Sequence, residues 1–418
     1  MIAPKWIEPP AAEQAAVKTL AVELGISEFF AALLCRRGFS APEHARKFLE
    51  PKLKSLADPF LLPNMGLAVE RILGAIDRGE RIVLYGDYDV DGITSLALVT
   101  RMLRAFGVEA PAFLPHRMEE GYGLSAEGIV RCIESFQPQL LIALDCGTSS
   151  VREIATLCEQ GIDVVVLDHH ECKTELPNCV LVNPKIGADF HYLCSVGVVF
   201  KLCHALLKTR PLAEFALRKS LDLVALGTVA DIVPLVGENR ILVRRGLIEL
   251  AQTESIGLRA LMAVAGVKAP VRTGDIGFRL GPRLNAAGRL RTAEDALELL
   301  LTENTERARV LATALDTENR ERQKVEQTIL QQAEEQLRTI FIRDRDAAIV
   351  LGDNGWHPGV LGIVASRLSK AHHRPTFVIG FDENGLGKGS GRSIEGLSLV
   401  HALGKCGALL DKFGGHEM

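Results

Sequence analysis

Three aspartates stand at alternate positions in Gly86-Asp87-Tyr88-Asp89-Val90-Asp91-Gly92, directly after a short apolar run. Alternate residues of an extended strand point to the same side, so the spacing predicts that the three carboxylates face one point. Carboxylates that converge repel one another unless a cation lies between them. Hard oxygen ligands of this kind suit Mg²⁺ or Mn²⁺, and the segment is therefore a candidate metal site.

The same spacing also opens the calcium-binding loop of an EF-hand, which requires a glutamate at its twelfth position. Counted from Asp87, the twelfth residue is Leu98, and the residues before the motif are typical of a strand rather than a helix. The calcium-loop interpretation is therefore set aside. A turn of solvated aspartates stays open for the motif taken by itself.

Further titratable residues follow other apolar runs. Leu167-Asp168-His169-His170 places an acid and two imidazoles directly after a predicted core strand, and imidazole is a good ligand for Mn²⁺. Asp145 follows the run 140–144, and Asp231 closes the apolar stretch 223–230. For Asp145 and Asp231 taken singly, a helix cap or a turn is as good an interpretation as a metal ligand.

Two segments in the second half of the chain could bind phosphate. The first, around 277–290, contains several arginines among glycines, which predicts a loop that another backbone can approach closely. Its arginines, whose forked side chains suit phosphate, are Arg279, Arg283, Arg289 and Arg291. The second, GKGSGRS at 387–393, combines flexible glycines with a hydroxyl and two cations, as an anion-binding nest does. It lacks the spacing of a P-loop.

Strands that alternate with helices are predicted to position the acidic residues. Strand-like runs lie at 81–85, 110–114, 140–144 and 164–167, and helical patterns separate them at 94–106, 125–135 and 150–160. This order predicts an α/β fold, a parallel sheet with helices on both faces. Ligands bind beyond the carboxyl ends of such strands. Asp87, Asp145 and Asp168 are therefore expected to converge at one edge of the sheet.

The remaining patterns predict four regions. Residues 1–75 are a helical N-terminal region, and residues 76–255 are the catalytic α/β domain. Residues 256–341 contain the arginine-rich segment and a long, polar connecting helix from 304 to about 340. A smaller α/β domain is expected at 342–418.

Bulk composition limits the class of protein. The 418 residues carry a net charge of −4, so any nucleic-acid surface must be a local basic patch. No stretch approaches the roughly 18 apolar residues of a membrane helix, and the N-terminus lacks the pattern of a signal peptide. The nine cysteines form no CxxC pair and are expected to be reduced core thiols. Together these features predict a cytoplasmic protein.

Four motifs, GDYDVDG, LDCGTS, DHH and LGTVADIVPL, occur in this order, and through them the chain resembles the DHH phosphoesterase superfamily. PHRMEEGYGL (115–124), GFRLGPRLNAAGRL (277–290), WHPGVLGIVASRL (356–368) and GKGSGRS resemble its single-stranded-DNA exonucleases in particular. The resemblance implies the metal ligands Asp89, Asp91, Asp145, His169 and Asp231, with Asp87 and His170 at the edge of the site. Tyr85 stands where some relatives have a histidine, which leaves the ligands of the second metal open.

The resemblance also implies an activity. Two Mn²⁺ or Mg²⁺ ions would support hydrolysis of single-stranded DNA from its 5′ end to 5′-mononucleotides, in DNA repair and recombination. His170 would orient or protonate the phosphate. The last domain resembles the DHHA1 type, and the implied phosphate-binding residues are Arg117, Arg283, Arg289, Ser390, Arg392 and His357. Single-stranded DNA is the expected partner, and a single-stranded-DNA-binding protein and a helicase are further candidates.

Two alternatives stay open. One is a phosphodiesterase of short oligonucleotides or cyclic dinucleotides, and the other is an inactive replication scaffold of the same superfamily. The intact set of acidic residues argues against the scaffold, which needs no metal ligands. The chain ends within a motif, at 413–418, that continues in relatives, so the DHHA1 domain is expected to be incomplete.

Overall fold

The computed structural model of the chain describes residues 6–8, 10–115, 123–187, 189–290, 293–342, 345–415 and 418. These residues form two compact units. The larger unit contains the described residues up to Gly288 and those from 293 to Leu315, and the smaller unit contains Arg289 and the described residues from Asp316 onward. No helix among the described residues is both long enough and apolar enough to cross a membrane.

Three short N-terminal helices enclose a small core of their own. They are α1 (Gln14–Leu24), α2 (Glu28–Arg36) and α3 (Pro42–Leu49). α1 ends at Gly25, which takes the left-handed conformation without strain, and α2 begins after Ser27, whose side chain accepts a hydrogen bond from the Phe30 amide. Their buried residues include Val17, Leu20, Ala31, Leu34 and Ala45. The next helix, α4 (Met65–Arg78), leads into the central sheet.

A five-stranded parallel sheet is the centre of the larger unit. Its strands are β1 (Ile82–Gly86), β2 (Ala112–Phe113), β3 (Leu140–Leu144), β4 (Asp163–Leu167) and β5 (Val180–Val182). They lie in the order β2, β1, β3, β4, β5. β1 and β3 are buried along their whole length, as expected for apolar strands covered on both faces. Because the strands are parallel, their carboxyl ends meet at one edge.

Helices on both faces bury this sheet. The helices of this unit that follow β1 are α5 (Val90–Ala105), α6 (Ala126–Phe136), α7 (Val151–Glu159), α8 (Ser195–Thr209), α9 (Leu221–Ala230), α10 (Gly237–Ala251), α11 (Ile256–Val264), α12 (Thr273–Asp275), α13 (Gly281–Leu290) and α14 (Glu294–Leu301). Alternate residues of β1 serve two cores: Ile82 and Leu84 pack with α5 and α8, and Val83 and Tyr85 pack with α6 and α7. The segment Ile276–Leu280, between α12 and α13, is π-helical.

The smaller unit is built on a three-stranded sheet. The helix α15 (Thr305–Ile340) begins in the larger unit and continues in the smaller one. The elements after it are β6 (Ile349–Asn354), α16 (Pro358–His372), β7 (Thr376–Phe381), β8 (Gly387–Arg392) and α17 (Leu399–Lys405). β7 pairs in parallel with β6 and antiparallel with β8. The core is formed by Leu351, Val360, Leu361 and Val378 together with Ile329 and Leu337 of α15.

This arrangement confirms the predicted fold class, in which a parallel-sheet α/β domain is followed by a long helix and a smaller α/β domain. Two local predictions are wrong. Residues 387–392 form strand β8 rather than a loop, because the rings of Phe377 and Phe381 fill the space above its glycines. The arginine-rich segment is helical rather than a loop.

Gly246 allows α10 to approach α9 closely, since a Cβ at this position would lie 2.2 Å from the carbonyl oxygen of Leu221. We expect Gly246→Ala to lower the free energy of unfolding by about 1–3 kcal/mol, because the helices must move apart. Gly66→Ala in α4 is the matched control, since nothing lies within 4 Å of its added Cβ, and it should stabilise by up to about 1 kcal/mol. Thermal unfolding measures both; equal melting temperatures would contradict the close contact.

Candidate metal centre

Asp87, Asp145 and Asp168 each follow directly after a strand, and those strands, β1, β3 and β4, are neighbours in the sheet. The backbone ladder extends through all three residues: the Asp87 amide donates to the Leu144 carbonyl (3.3 Å), the Asp145 amide to the Leu167 carbonyl (3.0 Å) and the Asp168 amide to the Val182 carbonyl (3.2 Å). All three carboxylates are buried. The sheet therefore fixes how far apart these acids lie.

The aspartates of the GDYDVDG motif do not alternate along a strand, and this part of the sequence-based argument is wrong. Only Asp87 continues from β1. Asp89 is the N-cap of α5, and its Oδ1 accepts hydrogen bonds from the amides of Asp91 (2.8 Å) and Gly92 (3.1 Å). Asp91 lies in the first turn, because α5 begins four residues earlier than the predicted start at Thr94. Capping satisfies amides that would otherwise lack partners.

Ser195, which the sequence-based reasoning missed, holds two of the acids. Its amide donates to Asp91 Oδ2 (2.7 Å), and the Val196 amide donates to Asp91 Oδ1 (2.9 Å). The Ser195 hydroxyl donates to Asp145 Oδ1 (2.8 Å). These amides belong to the N-terminus of α8, where positive dipole ends favour an anion. In the sequence, the serine at the start of the apolar segment LCSVGVVF could have indicated a helix N-terminus at this position.

The donor atoms of the site fall into three groups, each compact enough to surround one ion, with all atoms within 4.8 Å of one another. The groups are Asp91, His169 and Asp231; Asp87, Asp89 and Asp145; and Asp145, His169 and His170. His169 Nε2 lies 3.5 Å from Asp231 Oδ2, 3.6 Å from Asp145 Oδ1 and 3.9 Å from Asp91 Oδ2. Asp145 and His169 each occur in two groups, as ligands of two neighbouring ions would.

Burial and mutual repulsion raise the pKa of the carboxylates in these groups. Burial, followed by the charge of Asp89, raises the pKa of Asp91 to about 7. Burial, then the charges of Asp91 and Asp89, raises the pKa of Asp231 to about 8. Burial and the charge of Asp91 also raise the pKa of Asp145 well above its usual value. Ionising all of them together therefore requires a compensating cation.

Asp231, at the C-terminal end of α9, gives further evidence that a cation belongs in this site. Its Oδ2 is buried and, among the residues the structure describes, receives no hydrogen bond. A buried acceptor without a donor is costly unless an ion contacts it. The donor set of carboxylate oxygens with one or two imidazoles fits Mn²⁺ or Mg²⁺.

Asp168 belongs to none of the three donor groups and instead orients its neighbours. It accepts hydrogen bonds from the amides of Thr148 (3.0 Å), His169 (2.7 Å) and His170 (3.2 Å). Its Oδ1 also lies 2.7 Å from His170 Nδ1. Burial opposes the charge on both partners, but this contact holds the pKa of Asp168 below its usual range and raises the pKa of His170 to about 9. In this contact His170 is a cation beside the acids, so the donor group that includes His170 could bind an ion only once His170 has lost its proton.

The arginine-rich helical segment packs on the GDYDVDG motif. Asn285 Oδ1 accepts a hydrogen bond from the Val90 amide (3.1 Å), and a Cβ on Gly288 would lie 3.0 Å from the Tyr88 carbonyl oxygen. Gly288 thus permits the predicted close approach, although within a helix. Arg283 Nη1 donates to the Arg279 carbonyl (2.7 Å). Two predicted residues, Arg117 and Arg291, lie outside the described residues.

The other predicted phosphate ligands lie in the smaller unit, around the N-terminal half of α16. His357 caps that helix, with Nδ1 accepting from the Gly359 amide (3.1 Å), and burial lowers its pKa. Arg289 Nη1 donates to the Gly359 carbonyl (3.0 Å). Arg392 Nη1 lies 3.3 Å from Ser390 Oγ, and a Cβ on Gly362 would lie 2.9 Å from both of these side chains. The structure thus brings these four residues to one helix.

Known proteins share both parts of this architecture. The family model described as DHH family, N-terminal domain, matches residues 81–228, and the DHHA1 domain matches residues 345–418. The single-stranded-DNA-specific exonuclease RecJ of Bacillus subtilis is 40% identical over 412 residues, covering 97% of this chain and 51% of that protein. The Haemophilus influenzae protein of the same name is 40% identical over 392 residues, covering 89% of this chain and 68% of that protein.

A solved structure agrees with these matches. The crystal structure of RecJ in complex with Mn²⁺ from Thermus thermophilus is similar with a TM-score of 0.82 and 33% identity, covering 96% of this chain and 57% of that chain. The chain spans about half the length of the Bacillus relative and about two thirds of the Haemophilus relative. From the order of its motifs, its two domain types and these identities, the chain belongs to the RecJ family of DHH proteins.

Proposed function

We propose that this chain is a metal-dependent exonuclease that degrades single-stranded DNA from the 5′ end to 5′-mononucleotides, in DNA repair and recombination. The observation that carries the proposal is the cluster of buried and partly buried acids and imidazoles at the carboxyl edge of the parallel sheet. The names of the relatives support a single-stranded-DNA substrate rather than a dinucleotide. An inactive scaffold would have no use for three intact donor groups.

Two divalent ions, Mn²⁺ or Mg²⁺, are the proposed cofactors. The Thermus relative was solved with Mn²⁺, and the raised pKa values together with the unsatisfied Asp231 oxygen support the same requirement here. Such ions, when bound, acidify water and stabilise charge on the attacking and leaving oxygens of a phosphodiester. The proposed ligands are Asp87, Asp89, Asp91, Asp145, His169 and Asp231.

The chain's own residues orient the ligands and handle a proton. The amides of Ser195 and Val196 hold the Asp91 carboxylate, and the Ser195 hydroxyl holds that of Asp145, so that each acid keeps one orientation. His170 is cationic at neutral pH and held by Asp168. We assign His170 to contact a phosphate oxygen and to supply a proton to the leaving 3′-oxygen.

The smaller unit is proposed to bind the 5′-terminal phosphate. Ser390 and Arg392 offer a hydroxyl and a cation beside the N-terminal half of α16, an arrangement suited to an anion. Arg289 and His357 lie at the same helix. Arg117 and Arg283 are proposed as further phosphate contacts.

The proposed partners follow from the substrate. A helicase would separate the strands, and a single-stranded-DNA-binding protein would keep the free strand extended, so both are candidates for direct contact. The cytoplasm is the proposed location of this reaction.

Metal binding should reverse a pH-dependent loss of stability. In the unfolded chain the aspartates lose their protons near pH 4, whereas in the native chain Asp91 and Asp231 keep theirs until about pH 7 and pH 8. Between pH 4 and pH 8 the native state therefore binds more protons than the unfolded state, and the free energy of unfolding falls as the pH rises. We expect the metal-free chain to melt at least about 5 °C lower at pH 8.5 than at pH 6, and Mn²⁺ to abolish this difference. Calorimetry with EDTA or Mn²⁺ measures it.

The matched variant for this measurement is Asp91→Asn, which removes one ionisable donor and keeps the shape of the side chain. It should flatten the pH dependence in EDTA and reduce the stabilisation by Mn²⁺. A variant whose melting curve follows that of the wild type in both conditions would show that Asp91 is not a ligand.

We expect His169→Ala and Asp91→Ala to lower exonuclease activity at least about a hundredfold while the chain stays folded. Mutation of residues that only hydrogen-bond to metal ligands already lowers activity about 10–100-fold, and loss of a ligand itself should cost more. Release of mononucleotides from an end-labelled single strand with Mn²⁺ measures the activity. His44→Ala on α3 is the control, because this histidine is exposed and lies outside the donor groups. Retained activity in either folded ligand variant would refute the assignment.

Arg392→Gln should reduce the preference for a 5′-phosphorylated strand. Loss of a charged hydrogen-bond donor is expected to raise KM about tenfold on the 5′-phosphorylated strand and leave the 5′-hydroxyl strand nearly unchanged. Lys370→Gln, at the opposite end of α16, is the control. Equal KM increases on both strands would exclude a specific contact with the terminal phosphate.

A further inference from the structure

Ile232, which directly follows Asp231, has an unusual backbone and an unusual exposure. Its φ is 61°, in the left-handed region, and its side chain is 87% exposed. A β-branched residue is strained in this conformation, whereas glycine or asparagine makes the same turn easily. Neither core packing nor the turn requires isoleucine here. The side chain itself is therefore the feature that needs an explanation.

Phe278 is a second apolar side chain turned to solvent close in the fold to Asp231. It is 85% exposed and lies in the π-helical segment Ile276–Leu280, whose end residues are buried. Interruptions of this kind occur frequently at functional sites. Arg279 follows it directly; its side chain is 45% exposed and lies 3.3 Å from Asp275 Oδ1, in an ion pair that faces solvent on the arginine side. An aromatic ring beside a guanidinium is suited to a nucleotide.

Packing within the larger unit places the segments that carry Ile232 and Phe278 near the metal centre. A Cβ placed on Gly281, at the start of α13, would lie 3.6 Å from the Cβ of Ala230, the last residue of α9. Further along α13, Asn285 bonds the Val90 amide within the GDYDVDG motif. The segment that carries Phe278 therefore adjoins the helix end that carries Asp231 and Ile232. The helix that follows this segment, α13, also contacts the GDYDVDG motif, which supplies Asp87, Asp89 and Asp91 to the donor groups.

We propose that Ile232 and Phe278 form an apolar contact for the unstacked bases of a DNA strand beside the metal centre. This rests on the proposed exonuclease function. Single exposed apolar residues are common on proteins, but here one follows Asp231 in a strained turn, and the other lies in a segment that leads into the helix packed on the GDYDVDG motif. Arg279, and the exposed Arg272 at the start of α12, supply positive charge for the phosphates of the same strand.

The contact gives a physical reason for selecting a single strand. In a duplex the flat faces of the bases are covered by their neighbours, so an apolar side chain reaches them only if stacking is broken. In a single strand the faces are available, and contact with an aromatic ring is tolerant of sequence. Ile232 and Phe278 are thus specificity-determining residues, whereas hydrolysis itself depends on the donor groups.

Two variants separate the contact from the fold. Phe278→Ser removes the ring from an exposed position, and Ile232→Asn removes the apolar side chain while relieving the strained turn. Ile232→Asn should melt at the same temperature as the wild type or higher, although it binds DNA more weakly. Phe29→Ser is the matched control, because Phe29 is 75% exposed on α2, which contributes no donor to the site.

The decisive measurement compares the KM of the wild type and of the variants on two DNA strands. Initial rates with Mn²⁺ are compared on a 5′-phosphorylated single strand and on the same strand with abasic sites near its 5′ end. We expect each variant to raise KM about tenfold on the normal strand, with kcat little changed. The wild type should show a similar KM increase on the abasic strand, and Phe278→Ser should show almost no further increase there.

Each other outcome has a definite meaning. If the wild type degrades the strand and both variants keep its KM, the apolar contact is wrong and the proposed function stands. If Phe278→Ser and the abasic sites raise KM independently, so that their effects multiply, Phe278 does not contact a base. If the folded wild type with Mn²⁺ neither binds nor degrades the strand, the proposed function fails and the contact fails with it.

Discussion

The need to hold several buried carboxylates at one edge of a sheet is the constraint on which the rest of this structure depends. Asp87, Asp91 and Asp145 are each about 1% exposed, and removing even one such charge from water is costly. Part of the compensation comes from the protein: Ser195 and Val196 donate to Asp91, and the Ser195 hydroxyl donates to Asp145. The raised pKa values show that this compensation is incomplete without a cation.

The core is arranged to bring these groups together despite their repulsion. Two glycines remove side chains at the points of closest approach. A Cβ on Gly92 would lie 2.4 Å from the Asp87 carbonyl oxygen, and a Cβ on Gly227 would lie 2.5 Å from Thr94 Oγ1 and 2.9 Å from Asp91 Oδ1. α5 and α9 therefore press against the cluster. Apolar packing of these helices supplies the free energy that opposes the repulsion.

The sequence was sufficient to predict the parallel sheet and the convergence of acids at its edge, because apolar runs ended in Asp87, Asp145 and Asp168. It did not reveal how the acids are held. Asp89 caps the N-terminus of α5 instead of continuing the strand, so the alternation of three aspartates suggested the wrong local geometry. Ser195 is far from the acids along the chain, and only the packing of α8 brings its hydroxyl to Asp145.

Glycine-rich segments were predicted least well. The composition of 387–393 favours a flexible loop, but pairing with β7 and cover by Phe377 make residues 387–392 a strand. The same reasoning misjudged the arginine-rich helix, where Gly288 serves close packing on Tyr88. In both cases tertiary contacts override local preference, since glycine permits a conformation without requiring it.

One turn at the end of α9 carries both a proposed metal ligand and the proposed contact for DNA bases. Asp231 points its Oδ2 into the cluster, 3.5 Å from His169 Nε2, and the next residue, Ile232, projects into solvent. A more relaxed turn would require a different residue at 232. Because the proposed ion ligand and the proposed base contact are adjacent in this turn, a change in the backbone there would alter both. Strain of this kind persists where surrounding packing fixes it, and α9 is buried over nearly its whole length.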